Sequence, residues 1–416
     1  MAAGVQGGPG LIGRRRVALD DQGIPKREVF QRLDRVKAAA FDRGLRGVVA
    51  LARPFYERPA NVAYLSNHFP PFPTGMYWGE MRGMGHSALV IPTSGDPVLI
   101  IDTTFRRDLV PIADVRHARS KAAPPTSFLP DFAEAIADVL LEKDLASGRV
   151  GLAGDDLMPV RMYRDIRAAL PDLIFEPFDE VLGRLRMIKS NDELRLHRRA
   201  VQVCDAGYVG LAAAVRGGAR EIDVCAAGYA ATMTAGADFV RYVRTYSGPH
   251  SAMGVRWPQA TDRRLSGGEI VVTDIVGAYW GHQFDVNRTF VVGRRPSDRQ
   301  RRQLEAALEA TRAAIAAARP GTPAQDLVTA ANRVIEERSF GAHARPFIGH
   351  GIGYETMEPP LLSVGDSTPL APGMVLCVEP GIEIPGEEGV RIEEEIIVTE
   401  GEPELLTRFD PRQWDL

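Results

Sequence analysis

The chain has 416 residues, more than one hydrophobic core ordinarily serves, and its 45% hydrophobic and 25% charged residues are those of an ordinary globular protein. A formal net charge of −4 gives no basic field for nucleic acid, and no run reaches the ~20 apolar residues a membrane helix needs. Three cysteines, Cys204, Cys225 and Cys377, have neither paired nor zinc-binding spacing, so the expected setting is a reducing cytoplasm without a disulfide framework.

Residues 1–25 read as a disordered start, because the Gly-rich apolar stretch precedes Arg14-Arg15-Arg16, the reverse of the order in a secretory signal. Helical periodicity follows over 26–44 (Val29, Leu33, Val36, Ala40) and stops at Gly44 and Gly47 before a strand at 48–51. Residues 67–86 interleave His68, Phe69, Phe72, Tyr77, Trp78, Arg82 and His86 with Pro and Gly, too broken for a regular element. They form either a surface loop with a few aromatics tucked into the core or a specificity lid, which makes Tyr77 and Trp78 candidates for substrate contact. A hairpin is expected from 87–91 and 97–102 around Ser94-Gly95-Asp96, and alternating helix and strand signals then run to about residue 185. A boundary falls at 186–190, where Ser190 and Glu193 make a capping box for a long helix over 191–215. A faint repeat follows: 218–224 and 321–327 each sit between two helical stretches, and each helix pair precedes a group of chemistry-bearing residues.

The chemistry centres on Asp274 and Asp285, at the ends of a stretch punctuated by Gly277 and Gly281 and flanked by apolar, β-branched runs at 269–275 and 284–292. A two-stranded ribbon bent at those glycines brings both aspartates together at one end. Two close carboxylates repel unless a proton, an arginine or a metal cluster lies between them. Downstream, 347–353, 375–381 and 389–397 each place a His or Glu in an apolar, Gly-flanked segment, where a charge left unpaired is expensive. His350 and Glu379 stand out. In the third stretch Glu393 and Glu395 share a strand face with Arg391 opposite Glu394, so Glu393 is favoured over Glu394 but parity does not separate it from Glu395.

The order Asp, Asp, His, Glu, Glu, in the contexts Asp285-x-x-Arg-Thr, Gly349-His-Gly-Ile-Gly, Val378-Glu-Pro-Gly and Arg391-Ile-Glu, resembles the M24 "pita-bread" metallopeptidases: methionine aminopeptidase, aminopeptidase P, prolidase and creatinase. The likeness is greatest to the two-domain aminopeptidase P, prolidase and creatinase branch. It implies an α/β (α+β) fold with a creatinase-like N-terminal domain over 26–185 and a pita-bread catalytic domain over 186–416. It also implies two divalent metal ions, Mn, Fe, Co or Zn. Asp274 would chelate one, His350 and Glu379 the other, and Asp285 and Glu393 both, with Glu379 also carrying the proton from water to the leaving nitrogen. Arg288 and Arg391 would orient the ligand carboxylates. A homodimer follows from the branch, with the 67–86 loop of one copy lining its neighbour's pocket.

Two further histidines that the branch usually carries near the metals are replaced here by Val255 and Met357. Neither replacement supplies an N–H donor to a developing oxyanion. His250 and His282 are the nearest substitutes in sequence, and Arg256, Tyr354 and the 67–86 loop are the other candidate substrate contacts. The first expectation is a metal-dependent hydrolase of Xaa-Pro-type dipeptides or a related small amide. The alternative is a non-peptidase of the same fold that cleaves a C–N or C–S bond in a small metabolite, similar to a dimethylsulfoniopropionate lyase. A non-catalytic binding module is third, and keeping all five ligands argues against it. The expected partners are a small molecule or short peptide, with neither nucleic acid nor membrane.

Overall fold

A computed structural model of the chain describes residues 23–71, 77–78, 81–121, 130–254 and 256–414. The reading of residues 1–22 therefore lies outside it, as do Val255 and the side chains of Tyr77 and Trp78. The first half contains α1 (Lys26–Asp42), β1 (Gly47–Ala52), α2 (Ala60–Ser66), a short ribbon of β2 (Tyr77–Trp78) and β3 (Met81–Arg82), β4 (Ser87–Pro92), β5 (Val98–Ile101), β6 (Asp114–His117), α3 (Phe132–Glu142), β7 (Gly148–Ala153), α4 (Val160–Ala169), β8 (Leu173–Pro177) and α5 (Asp179–Met187). The second contains α6 (Asn191–Ala214), α7 (Glu221–Thr234), β9 (Phe239–Ser247), β10 (Ile270–Tyr279), β11 (His282–Val291), α8 (Asp298–Ala317), α9 (Ala324–Glu337), β12 (Phe347–Gly351), β13 (Glu358–Ser363), β14 (Val375–Val378), β15 (Gly381–Glu383), β16 (Gly389–Arg391), β17 (Glu394–Ile397) and β18 (Glu404–Leu405).

The first half is a mixed six-stranded sheet in the order β6-β5-β4-β1-β7-β8. Period-two alternation sends Val48, Ala50 and Ala52 of β1 to the face covered by α1, α2 and α5, and Val49 and Leu51 to the face covered by α3 and α4. With both faces buried, β1 is apolar throughout, each fully buried Val or Leu contributing about 1.5–3 kcal/mol. The hairpin expected around Ser94-Gly95-Asp96 is the antiparallel pair of β4 and β5.

The second half repeats one plan. The helices α6 and α7 pack on the antiparallel sheet β11-β10-β9, and α8 and α9 pack on the sheet β13-β12-β14-β17-β18. The capping box read at Ser190 is present: Ser190 Oγ accepts from the Glu193 amide while Glu193 accepts from the Ser190 amide. On the helix-facing side of β10 and β11 lie Ile275, Phe284, Val286 and Phe290, all buried against α6 and α7. The opposite side is thereby left for polar groups. No helix among the described residues is long and apolar enough to cross a membrane.

Candidate metal centre

The hairpin β10–β11 sets the two aspartates. Its strands pair without a break from Ile270 with Val291 to Tyr279 with His282, so the turn is Trp280-Gly281 alone. Both turn residues have positive φ, 50° and 74°, as a two-residue turn that matches strand twist requires. The aspartates therefore lie within the ribbon and not at the ends of its bend, which corrects the expectation from sequence. They meet because Asp274 stands opposite Asn287 and Asp285 opposite Val276, diagonal neighbours on one face. Gly277 is also not at the bend. It lies in β10, where a Cβ would come within 2.6 Å of the Phe239 carbonyl and of the Phe284 ring, so that close approach accounts for the glycine.

The second sheet brings the remaining three groups. His350 in β12 pairs with Cys377 in β14, and Glu379 follows directly after β14 with its amide donating to the Ile348 carbonyl at 2.7 Å. His350 Nδ1 lies 3.0 Å from the Gly351 carbonyl, which can only accept, so the proton sits on Nδ1 and Nε2 keeps its lone pair. That Nε2 is 3.7 Å from Glu379 Oε1 and 3.9 Å from Asp285 Oδ2. Glu393, in the step between β16 and β17, donates its amide to the Asn287 carbonyl at 3.1 Å. Carboxylate oxygens of Asp274, Asp285 and Glu393 all lie within 4.8 Å of one another, and His350, Cys377 and Glu393 form a second such group. All five residues singled out in the sequence thus converge. Glu395, which parity left open, is separated by its contact: one of its oxygens accepts from the Asp285 amide at 2.8 Å.

Electrostatics makes this cluster unusual. Burial, and then repulsion from Asp274 and Glu379, push the Asp285 carboxyl well above its ordinary range, and burial with Asp285 beside it does the same to Glu393. Burial also raises Asp274, against the pull of Arg244. Asp274 Oδ1 and Glu393 Oε1 are buried and have no partner among the described residues. Buried oxygens in that state cost on the order of 1–3 kcal/mol each, more when charged. A hard or borderline cation between them would remove that cost, so the donor set fits divalent metal.

Comparison with known proteins gives the family of the chain. The profile of the creatinase/prolidase N-terminal domain matches residues 32–188 and that of metallopeptidase family M24 matches residues 195–400. The probable dipeptidase PepE of Mycobacterium tuberculosis is 33% identical over 316 residues, 76% of this chain and 81% of its own length. The chain belongs to metallopeptidase family M24. An Xaa-Pro dipeptidase of Pyrococcus furiosus is 35% identical over 239 residues, 57% of this chain and 67% of the relative, which supports the aminopeptidase P and prolidase branch. The solved dipeptidase PepE of Mycobacterium ulcerans superposes with a TM-score of 0.76 at 27% identity, covering 94% of this chain and 99% of that one. By class this M24 chain is a metal-dependent hydrolase with the pita-bread fold.

The other residues named from the M24 resemblance are placed as follows. Arg391 donates to Glu379 Oε2 at 3.2 Å and to Glu383 at 2.6 Å, so it does touch one of the five. Arg288, fully buried, touches none of their carboxylates among the described residues. It donates to the Glu393 carbonyl, to Glu394 at 3.0 Å and to the Phe409 carbonyl at 3.1 Å, and so fixes the backbone that carries Glu393. Arg256 is held by Glu221 at 2.7 Å, and Met357 is half exposed just before β13. Tyr354 is buried in the junction between halves, beside Arg32, Tyr64 and His282. His282 cannot join the aspartates because it lies on the opposite face of β11, and its ring packs 5.1 Å from that of His197. Cys377 donates its thiol to the Asp285 carbonyl at 3.8 Å, and burial pushes the thiol well above its usual range, which fits a small buried group and not a nucleophile.

Sequence reasoning missed Arg244. In β9 it stands directly opposite Asp274 and donates to Asp274 Oδ2 at 2.9 Å. Its guanidinium carbon lies 3.9 Å from the centroid of the Tyr242 ring. The alternation Tyr242, Arg244, Tyr246 was the available signal, three polar-tipped side chains on one face of a strand running toward the Asp hairpin.

Proposed function

We propose that this M24 chain is a dinuclear metal-dependent hydrolase of Xaa-Pro-type dipeptides or a related small amide. The observation that supports it is the buried five-group cluster, in which one oxygen each of Asp274 and Glu393 has no partner among the described residues. On this reading residues 26–185 form the N-terminal domain and 186–416 the catalytic one. Asp274, Asp285, His350, Glu379 and Glu393 would hold the cations, which would be Mn, Fe, Co or Zn. When bound, the cations acidify a water and polarise the substrate carbonyl. The chain's own work is proton handling and orientation. Arg391 donates to Glu379 Oε2, which leaves Oε1, 3.7 Å from His350 Nε2, as the oxygen on which a proton would pass from water to the leaving nitrogen. His350, with its proton fixed on Nδ1 by the Gly351 carbonyl, offers only a lone pair to the site.

Met357 favours the second reading as a qualification of the first: half exposed and without an N–H donor, it leaves one oxyanion contact of the usual peptidases unfilled. Turnover of ordinary Xaa-Pro dipeptides is therefore slow, and the preferred substrate is a small molecule. The same reading takes the chain as a cytoplasmic homodimer. The test is turnover of Ala-Pro and Gly-Pro, with small amides and a sulfonium metabolite beside them, by the Mn(II)-loaded protein and by Met357→His. Slow dipeptide turnover that rises in the variant is expected. Ala-Pro turnover near the enzyme median of roughly 10 per second would make it an ordinary prolidase, and no metal-dependent amide cleavage at all would overturn the hydrolase reading.

A further inference from the structure

Two histidines sit where the halves meet and take no part in the metal centre. His197 of α6 and His282, the first residue of β11, are both fully buried, and their rings meet edge to face at 5.1 Å. His282 Nδ1 lies 3.0 Å from the Trp280 carbonyl and so carries the ring's proton, which leaves a lone pair on Nε2. That Nε2 and both nitrogens of His197 are buried without a partner among the described residues. The nearest acid is Glu193, with one oxygen 4.0 Å from His282 Nε2. Its other oxygen is held by Arg32 at 3.2 Å and by the Ser190 amide at 3.0 Å. The remaining groups that face the pair are Arg32 of α1 with its partner Glu28, Lys189 before α6, Arg195 on α6, and Tyr354, whose ring lies 4.7 Å from that of His282. Three of these are cations, so a proton added to either ring meets repulsion and gains no free acceptor. Burial accordingly holds both rings neutral, His282 down to about 3 and His197 well below its ordinary range.

The pair is tied to both halves through short contacts. His282 closes the Asp hairpin opposite Tyr279, and Asp285 follows three residues later in the same strand. The Gln283 amide donates to the Gly353 carbonyl at 2.8 Å and its side chain to the Tyr354 carbonyl at 3.3 Å, so the same turn holds the segment that follows His350. Tyr354 in turn meets Arg32 of α1 and the Tyr64 ring of α2. We infer that the His197–His282 pair is an acid-sensitive latch between the two halves, closed while both rings are neutral and released when acid protonates them. An opened junction exposes the rings, which then take up protons at the ordinary histidine value of about 6.5, whereas the closed junction refuses them. The contribution of the pair to closure is therefore complete above about pH 6.5 and is lost as pH falls toward the folded value, by up to about tenfold per pH unit for each ring. Release loosens the turn that carries Asp285 and the segment after His350 together, which makes the site's geometry dependent on pH whatever reaction it performs. Glu355, on the same loop as Tyr354, is pushed up by burial and titrates with the opposite sign, so the pair is read by difference.

The test follows Tm from pH 8 to pH 5 on the full chain, loaded with Mn(II) and again with chelator, for the wild type, His282→Asn and His197→Leu. Asn keeps a donor in the place of Nδ1–H and does not titrate, and Leu fills the His197 site without a polar atom. Each variant is expected to gain about 3 °C on the wild type between pH 8 and pH 5, with or without metal. A difference that stays within about 1 °C across that range in either folded variant overturns the inference. Hydrogen exchange at the Gln283 amide, corrected for the intrinsic effect of pH, reads the opening itself in Glu355→Gln, which keeps both histidines. There the opening is expected to rise about tenfold or more from pH 7.5 to pH 5.5. An unchanged opening overturns the latch even where the Tm values shift, because the rings would then act on global unfolding alone, and it decides the matter if neither histidine variant folds.

Discussion

Two clusters of buried charge lie in this molecule, and they differ in how their charges are compensated. At the junction between the halves, the fully buried Arg32 of α1 is gripped by Glu28 and by Glu193 of α6 at 3.2 Å. It also donates to the Tyr64 carbonyl at 3.0 Å and lies 4.1 Å over the Tyr64 ring. Neither glutamate is left with a buried oxygen lacking a partner among the described residues. In the second cluster, Asp274, Asp285, Glu379 and Glu393 meet one imidazole and two arginines at their edge, and one buried oxygen each of Asp274 and Glu393 stays unpaired among the described residues. Burial of charge is thus not the mark of function. What marks the second cluster is that the described residues do not supply its full counter-charge, and the first shows that the same chain can do so where the purpose is to join two domains.

Neutralising substitutions turn this difference into opposite outcomes. The largest effect is expected at the centre: Asp285→Asn or Glu393→Gln lowers bound metal and metal-dependent rate about a hundredfold or more, the upper end for changes around a metal site. The metal-free forms of both variants melt no lower than the metal-free wild type, because each removes a carboxylate that burial and repulsion hold above its usual range. Calorimetry with and without chelator reads both quantities. At the junction the sign reverses. Arg32→Met leaves Glu28 and Glu193 buried without their cation and costs about 3–5 kcal/mol, seen as a fall in Tm with metal bound or removed. A metal-free D285N that melts well below the wild type, or an R32M that melts with it, would erase the distinction.

A smaller effect sharpens it. Glu355 is buried near the junction, accepting from the Ala60 amide at 3.0 Å, and burial pushes its carboxyl up to about 7 against the pull of Arg186. Its folded value lies above the unfolded one of about 4.3, so the stability it contributes is fully present below that value and is lost as pH rises through about 7. Glu355→Gln removes that loss. The Tm of E355Q relative to the wild type is expected to rise by a few degrees between pH 5 and pH 8, and a difference that stays flat would show that Glu355 does not titrate as its burial implies.

What the sequence disclosed follows from which interactions are local. The capping box at Ser190 and the hairpin at Ser94-Gly95-Asp96 are short-range, and both stand as read. The five residues that converge were legible because Asp274 and Asp285 share one Gly-punctuated stretch, His350, Glu379 and Glu393 each sit in a Gly-flanked apolar segment, and their order resembles the M24 family. Periodicity gave the face of Glu393 but not its register, so only the bond from the Asp285 amide to Glu395 separates the two glutamates. The bend of the Asp hairpin was misplaced for the same reason: two glycines four positions apart look alike in sequence, and only pairing shows that Gly277 lies inside a strand. Tyr354 and Arg32 are 322 positions apart, and Arg244 acts through a cross-strand neighbour 30 positions away. Contacts of that kind have no signature until the sheets are assembled.

The most direct measurement is the metal content of the full chain after loading with Mn(II) and exhaustive dialysis, by elemental analysis, beside the five single alanine variants at Asp274, Asp285, His350, Glu379 and Glu393. Two divalent ions per chain, about the number a paired hydrolytic site holds, are expected in the wild type. Larger losses at Asp285 and Glu393 than at Asp274 are expected among the variants. A wild type that retains no metal, or five variants that all retain as much as the wild type, would contradict the assignment of this cluster as the metal centre.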